Sequence, residues 1–208
     1  MLHFETLTDK STVLFPKLAS FKNDFYLAGG TALALQIGHR VSVDFDLFSP
    51  HPIKKMLLSK VEADLGDTTP EVLVNRPTEL TLIVNGVKCT FLEYPFPTLL
   101  PLTESESINL LSPKEILATK AYTIGRRGSF KDYADLYVGI RSGVSSLKEI
   151  CTLALEKYRE VFNDRLFLEQ LLYLDDVEEL DLELKTEPPL TKAVLVEFFS
   201  QEIKKLEI

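Results

Sequence analysis

The chain of 208 residues is long enough for one ordinary domain, or for a catalytic domain with a helical extension. It is 45% hydrophobic and 26% charged, which excludes wholesale disorder, and its formal charge of −8 argues against a broad, non-specific nucleic-acid binder. No apolar run reaches the roughly 18 residues of a membrane span, and Met1–Glu5 lacks the basic and apolar regions of a signal peptide. A cytoplasmic protein with no membrane partner is therefore expected. Cys89 and Cys151 fit no metal-ligand spacing and read as buried free thiols.

In chain order, Phe25–Ala28 is a short apolar run ending at Gly29-Gly30, a strand entering a turn. Thr31–Ile37 reads as a helix, with Gly38 suited to stop it. Val41–Leu47 alternates cleanly, placing Val41, Val43, Phe45 and Leu47 on one face and Ser42, Asp44 and Asp46 on the other. A helix is expected near Pro52. Residues 71–94 read as strands, with Asn85-Gly86 as a two-residue hairpin turn, and Pro95–Pro101 as irregular chain. From Ser112 the pattern is helical. Ser112-Pro113-Lys114-Glu115 combines an N-cap, a first-turn proline and a capping-box glutamate. Further helices are expected from Ser129 and over 145–159, 163–174 and 189–206. The acidic run at 175–179 reads as solvated surface. The chain thus divides into an α/β lobe, 1–105, and an α-helical lobe, 106–208.

Four groups of residues carry chemistry. Gly29, Gly30 and Thr31 open a helix whose free N–H groups suit a triphosphate, although the same turn serves as a plain strand-to-helix connection. Asp44 and Asp46, two apart on a strand, project together and repel unless a cation lies between them, and Mg²⁺ favours carboxylates plus phosphate oxygens. Lys120 shares a helical stripe with Ile116 and Ile124, so it either snorkels outward or meets an anion. Asp132 and Asp135 lie one turn apart near a helix start, where acids ordinarily cap the helix. His39 and Arg40 read as a loop pair, on the surface or contacting a phosphate, and Arg40 suits bidentate binding. Tyr133 and Tyr137 share a helix face and read as packing.

The order strand, Gly-Gly-Thr turn, helix, Asp-Phe-Asp resembles the DNA polymerase β-like nucleotidyltransferases. More narrowly, Leu27–Gln36 followed by His39-Arg40-x-Ser42-Val43-Asp44-Phe45-Asp46 resembles the AbiEii/AbiGii toxin family. Lys120 and the segment Lys131-Asp132-x-x-Asp135 resemble that family's third and fourth motifs. The resemblance implies an α+β fold: a nucleotidyltransferase-type mixed β-sheet with flanking helices, followed by a C-terminal helical bundle that completes the active site. It implies Mg²⁺ or Mn²⁺ on Asp44 and Asp46, an NTP held by Gly29, Gly30, Thr31, Arg40, Lys120 and Asp135, and phosphoryl transfer to an acceptor hydroxyl. The acceptor implied is a tRNA 3′ end, or a protein in related systems, and an antitoxin partner is implied as well. Thr90 stands where such enzymes place a third carboxylate. The base is then either Glu93 or Asp132, and Asp132 is favoured. Two other readings are a nucleotide-binding interaction module and a small-molecule nucleotidyltransferase of the aminoglycoside-modifying kind.

Overall fold

The computed structural model describes residues 1–66, 69–180, 182, 184 and 189–206, and it divides into two units, Met1–Ser112 and Pro113–Ile208. The first is built on a mixed sheet of five strands: β1 (Tyr26–Ala28), β2 (Phe45–Ser49), β3 (Glu71–Arg76), β4 (Glu79–Val84) and β5 (Val87–Glu93). The order across the sheet is β1-β2-β5-β4-β3, with β2 parallel to β5 and the other pairs antiparallel. Asn85 and Gly86 turn β4 into β5 with φ of 51° and 81°, the left-handed pair that a primed two-residue hairpin requires.

Strand alternation gives the sheet one core face. Leu27, Phe45, Leu47, Leu80, Leu82, Cys89 and Phe91 are all buried there. Phe15 packs on Phe45, and Phe21 and Phe25 pack on Phe91, at centroid distances of 6.2, 5.1 and 5.1 Å. Each such ring contributes roughly 1.5–3 kcal/mol by leaving water. On the other face Asp46, Phe48, Thr90 and Leu92 stay half-exposed. Helices α1 (Asp9–Leu14), α2 (Gly29–Ile37) and α3 (Leu57–Asp64) complete the unit. It runs on to Ser112 because Leu27 exchanges backbone hydrogen bonds with Asn109 and Leu111.

Two boundaries differ from the sequence pattern. The strand expected from Val41 begins at Phe45, because Ser42 is drawn away from the sheet: its N–H donates to the Thr6 carbonyl and it bridges Leu7. The alternation is consequently inverted there, with Ser42 7% exposed and Val43 44%. The helix expected near Pro52 begins at Leu57, after Ser49 Oγ accepts the His51 N–H and a turn closes from Lys54 to Leu57.

The second unit is helical: α4 (Pro113–Arg127), α5 (Phe130–Arg141), α6 (Leu147–Tyr158), α7 (Asp164–Leu172) and α8 (Lys192–Lys204). Helix α4 packs on α5, α6 and α7, and α8 packs on α5 and α7. Local signals set the helix starts. Ser129 and Asp132 form a capping box on α5, Ser146 and Glu149 form one on α6, and Asn163 and Thr191 cap α7 and α8. Tyr133 and Tyr137 are packing residues: Tyr133 donates to the Gln170 carbonyl, and Tyr137 meets Phe198 edge-on. At the centre, Lys157 Nζ lies 2.6 Å from Glu115 Oε1 with both side chains fully buried. Glu115, read as a capping-box acid, holds one end of an ion pair between α4 and α6. The acids at 175, 176, 178 and 179 are exposed. No helix among the described residues is long and apolar enough to cross a membrane.

The Glu149 cap has a pH signature. The Ser146 backbone N–H, then its hydroxyl, then Lys114 hold the Glu149 carboxyl down at about 2, against an ordinary 4.5. A depressed folded value stabilises above the ordinary value and is lost as pH falls from there toward 2. Glu149→Gln is expected to flatten the acid limb of a urea-unfolding series over that window by lowering stability at neutral pH toward its value near pH 2. An unchanged acid limb would remove this cap from the account.

Candidate active site

The glycine turn and the second aspartate are in contact. Antiparallel pairing puts Ala28 opposite Asp46, and Gly29, the next residue, begins α2 with φ of +67°. A Cβ built on Gly29 would fall on Asp46 Oδ2 and lie 3.2 Å from its Cγ. Glycine is required here twice over, by its backbone and by the carboxylate against it. Gly29→Ala should cost about 1–3 kcal/mol of stability, which calorimetry checks.

Helix α2 has no side-chain cap at its N-terminus, so the first-turn N–H groups of Gly29, Gly30 and Thr31 are not satisfied by the Ala28 side chain. The Thr31 side chain points inward instead. It is 3% exposed, its hydroxyl donates to the Asp44 carbonyl, and it lies 2.8 Å from Ser42 Oγ. Asp44 immediately precedes β2 and Asp46 is the strand's second residue. Both are half-exposed and both act on one buried group below them. Burial first, then the charges of Asp44 and Asp46, push the Cys89 thiol up to about 12. The same elevation predicts that Cys89 stays unalkylated by iodoacetamide in the native protein. Cys151, half-buried rather than buried, is raised to about 11, by burial first and Asp164 second.

In parallel register Asp46 pairs with Thr90, which in turn pairs with Thr81 on β4. The row leading away from the aspartate is therefore hydroxyl-bearing, and Thr81 Oγ1 donates to Glu79 Oε1 at 2.7 Å. Glu93 pairs with Ser49 at the strand end and has the parity of Cys89 and Phe91, so it faces away from Asp46. Among the described residues no group of three His, Cys, Asp or Glu side chains gathers to hold a metal. The two carboxylates suit Mg²⁺ all the same, since that ion commonly takes one or two protein carboxylates and completes its shell with phosphate oxygens and water. The gap at Gly29, which leaves Asp46 Oδ2 its space, fits the same use.

In the helical unit Lys120 does not snorkel. It is 8% exposed, with Nζ 2.6 Å from Asp132 Oδ1 and 2.9 Å from Asp135 Oδ2. Burial alone would lower its pKa, but Asp135 and then Asp132 outweigh it, so the ammonium is held charged above its ordinary range. Asp132 is engaged on both oxygens: Oδ2 accepts from the Ser129 N–H at 3.0 Å and from its hydroxyl at 2.9 Å. It is thus a cap and an ion-pair partner at once. His39 and Arg40 are buried at 3% and 4%, not placed on a surface loop, and Arg40 Nη1 donates to the Val41 carbonyl. Sequence reasoning missed Ser42 as a partner of Thr31 and Lys157 as a partner of Glu115. The available signal was the place of Lys157 on the helical stripe of Ile150 and Ala154; Ser42 offered none.

The family model described as "Nucleotidyl transferase AbiEii toxin, Type IV TA system" matches residues 13–79 and 77–204. A protein of Aquifex aeolicus (strain VF5) is 33% identical over 187 residues, covering 88% of each chain. Among solved structures, MenT4, a nucleotidyltransferase toxin of Mycobacterium tuberculosis H37Rv, superposes with a TM-score of 0.59 at 17% identity, over 93% of this chain and 84% of its own. JHP933 of Helicobacter pylori gives 0.57 at 15%, over 100% and 95%. These structures share the fold, and the family match spans nearly the whole length: this chain belongs to the AbiEii family of nucleotidyltransferases.

Proposed function

We propose that this enzyme transfers a nucleoside monophosphate from an NTP to an acceptor hydroxyl, in the cytoplasm, with Asp44 and Asp46 as the residues that hold Mg²⁺ or Mn²⁺. The observation that carries the proposal is the seating of Gly29 against Asp46, which joins the helix opening to the carboxylate pair. When bound, the ion polarises the α-phosphate and offsets its developing charge. The N–H groups of Gly29, Gly30 and Thr31 receive the distal phosphates at the start of α2. Arg40 and Lys120 are the cations proposed to meet phosphate oxygens, and Asp135 steadies Lys120 within the helical unit. Asp132 takes the acceptor's proton or orients its hydroxyl. To do so Oδ1 exchanges the Lys120 ammonium for the acceptor, while Oδ2 keeps its hold on Ser129.

The acceptor proposed is the 3′ end of a tRNA, with an antitoxin protein as the partner that restrains the activity. MenT4 is described as a nucleotidyltransferase toxin, and the matched family model names a toxin–antitoxin system. The acidic composition favours a local contact with one RNA end over a broad electrostatic footprint. Incubating the protein with each labelled NTP and Mg²⁺, in parallel with total tRNA, with a protein extract and with aminoglycosides, separates the classes. Label on tRNA alone is the expected result. Label on the small polyhydroxylated acceptor alone would move the enzyme to another substrate class. NTP binding with no pyrophosphate release under any condition would identify an interaction module, the reading that Thr90 in the third-carboxylate position favours.

A further inference from the structure

We propose that Ser42 and Thr31 form a hydroxyl relay that positions Asp44, and that the Thr31 hydroxyl serves this tie rather than a nucleotide phosphate. The inference rests on the reading that Asp44 and Asp46 hold a divalent cation. Asp44 precedes the first paired residue of β2, so the sheet ladder, whose register with β5 begins at Phe45 and Cys89, does not fix it. Its backbone carbonyl is instead held by Thr31 Oγ1, and that oxygen lies 2.8 Å from Ser42 Oγ.

Counting protons settles the direction. Each hydroxyl has one proton, and a carbonyl has none. Thr31 therefore donates to Asp44, and Ser42 donates to Thr31. Both protons are then in use, inside a pocket where the two residues are 3% and 7% exposed. Neither hydroxyl keeps a proton for a phosphate oxygen. Hydrogen bonds chained in this way strengthen one another in a poorly solvated interior.

The preceding residues are held from the opposite side by the chain's first dozen residues. The Ser42 N–H donates to the Thr6 carbonyl at 2.8 Å, and Ser11 Oγ donates to the Val43 carbonyl at 3.4 Å. Ser11 is itself fixed, because Thr8 caps α1 by accepting its N–H. Three consecutive residues, Ser42, Val43 and Asp44, are thus anchored one by one, with hydroxyls supplying two of the ties. The carboxylate of Asp44 inherits its direction from that backbone. Thr31 and Ser42 are positioning residues in this account, acting on a bound cation through Asp44.

Thr31→Val keeps the shape and removes the relay, Thr31→Ser keeps the relay, and Ser42→Ala removes only its outer donor. Two measurements need no turnover: hydrogen exchange of the 41–46 backbone in metal-free protein, and Mn²⁺ binding read by electron paramagnetic resonance without nucleotide. Thr31→Val is expected to speed exchange at 41–46 and to raise the Mn²⁺ Kd about tenfold. Thr31→Ser should restore both, and Ser42→Ala should give a smaller loss, about threefold. Unchanged Mn²⁺ affinity and unchanged exchange in Thr31→Val, with an NTP KM raised about tenfold, would overturn the relay and give the hydroxyl to a phosphate. If wild type binds no Mn²⁺, the metal reading fails, and exchange at 41–46 still decides whether the tie exists. Should Thr31→Val not fold, Ser42→Ala and Thr31→Ser carry the same comparison.

Discussion

Asp46→Asn is expected to leave a folded protein whose nucleotide transfer has fallen by at least about 10³-fold, equivalent to roughly 4 kcal/mol of lost transition-state stabilisation. The substitution preserves volume, and the hydrogen bonds that pair β2 with β1 and β5 run through the backbone, so the sheet register survives. The contact with Gly29 also survives, since the amide has the carboxylate's outline. What changes is one negative charge on β2, two residues from Asp44. The Cys89 thiol offers an internal check, because part of its elevation comes from Asp46: its reactivity above pH 9 should rise slightly in the variant. Transfer is measured with labelled NTP, and thermal unfolding is followed alongside. Retention of more than a tenth of wild-type activity would sink the assignment of the cation to this pair.

The largest expected effect on stability lies elsewhere. Glu115→Ala leaves the Lys157 ammonium in a fully buried site without its carboxylate at 2.6 Å, and removing one member of such a pair costs about 3–5 kcal/mol. The surroundings are apolar and aromatic. Ile116, Ile150 and Ala154 are buried nearby in sequence, and Tyr158 stacks on Tyr122 with centroids 4.0 Å apart. Replacing both residues, as Glu115→Leu with Lys157→Met, should recover most of the loss, because the penalty belongs to the stranded charge and not to the missing attraction. A urea-denaturation double-mutant cycle measures this. Full additivity of the two single losses would mean that the pair is not coupled.

The contrast between these two positions shows what the sequence made readable. Asp44 and Asp46 stand two residues apart and a short helix away from the glycines, so local spacing was enough to bring them to notice. The same holds for the Asn85-Gly86 hairpin and for the helix start at Ser129, whose capping acid Asp132 lies three residues on. Glu115 and Lys157 are separated by 42 positions, and nothing near either one names the other. Ser42 misled for a different reason. Alternation reports which residues differ in polarity, not whether the segment is paired into a sheet, and the Thr6 carbonyl that captures Ser42 lies in a stretch with no motif of its own. Lys120 was readable as a cation on an inward stripe. That Asp132 would meet it and cap α5 together follows only from the packing of α4 against α5.

The parallel pairing of β2 with β5 bears on the order in which the molecule assembles. Phe45 meets Cys89 across a gap of more than forty residues, whereas β3, β4 and β5 join through short local turns. Loop closure over that span opposes early pairing, so the three-stranded meander is expected to form first and to serve as the template on which β2 docks. Asp46 reaches its place beside Thr90 only at that last step. During synthesis, a chain that has not yet emerged beyond residue 93 has β1 to pair with β2 but lacks the β5 strand on its other side. Asp46 is flanked by strands on both sides only once the sheet is complete.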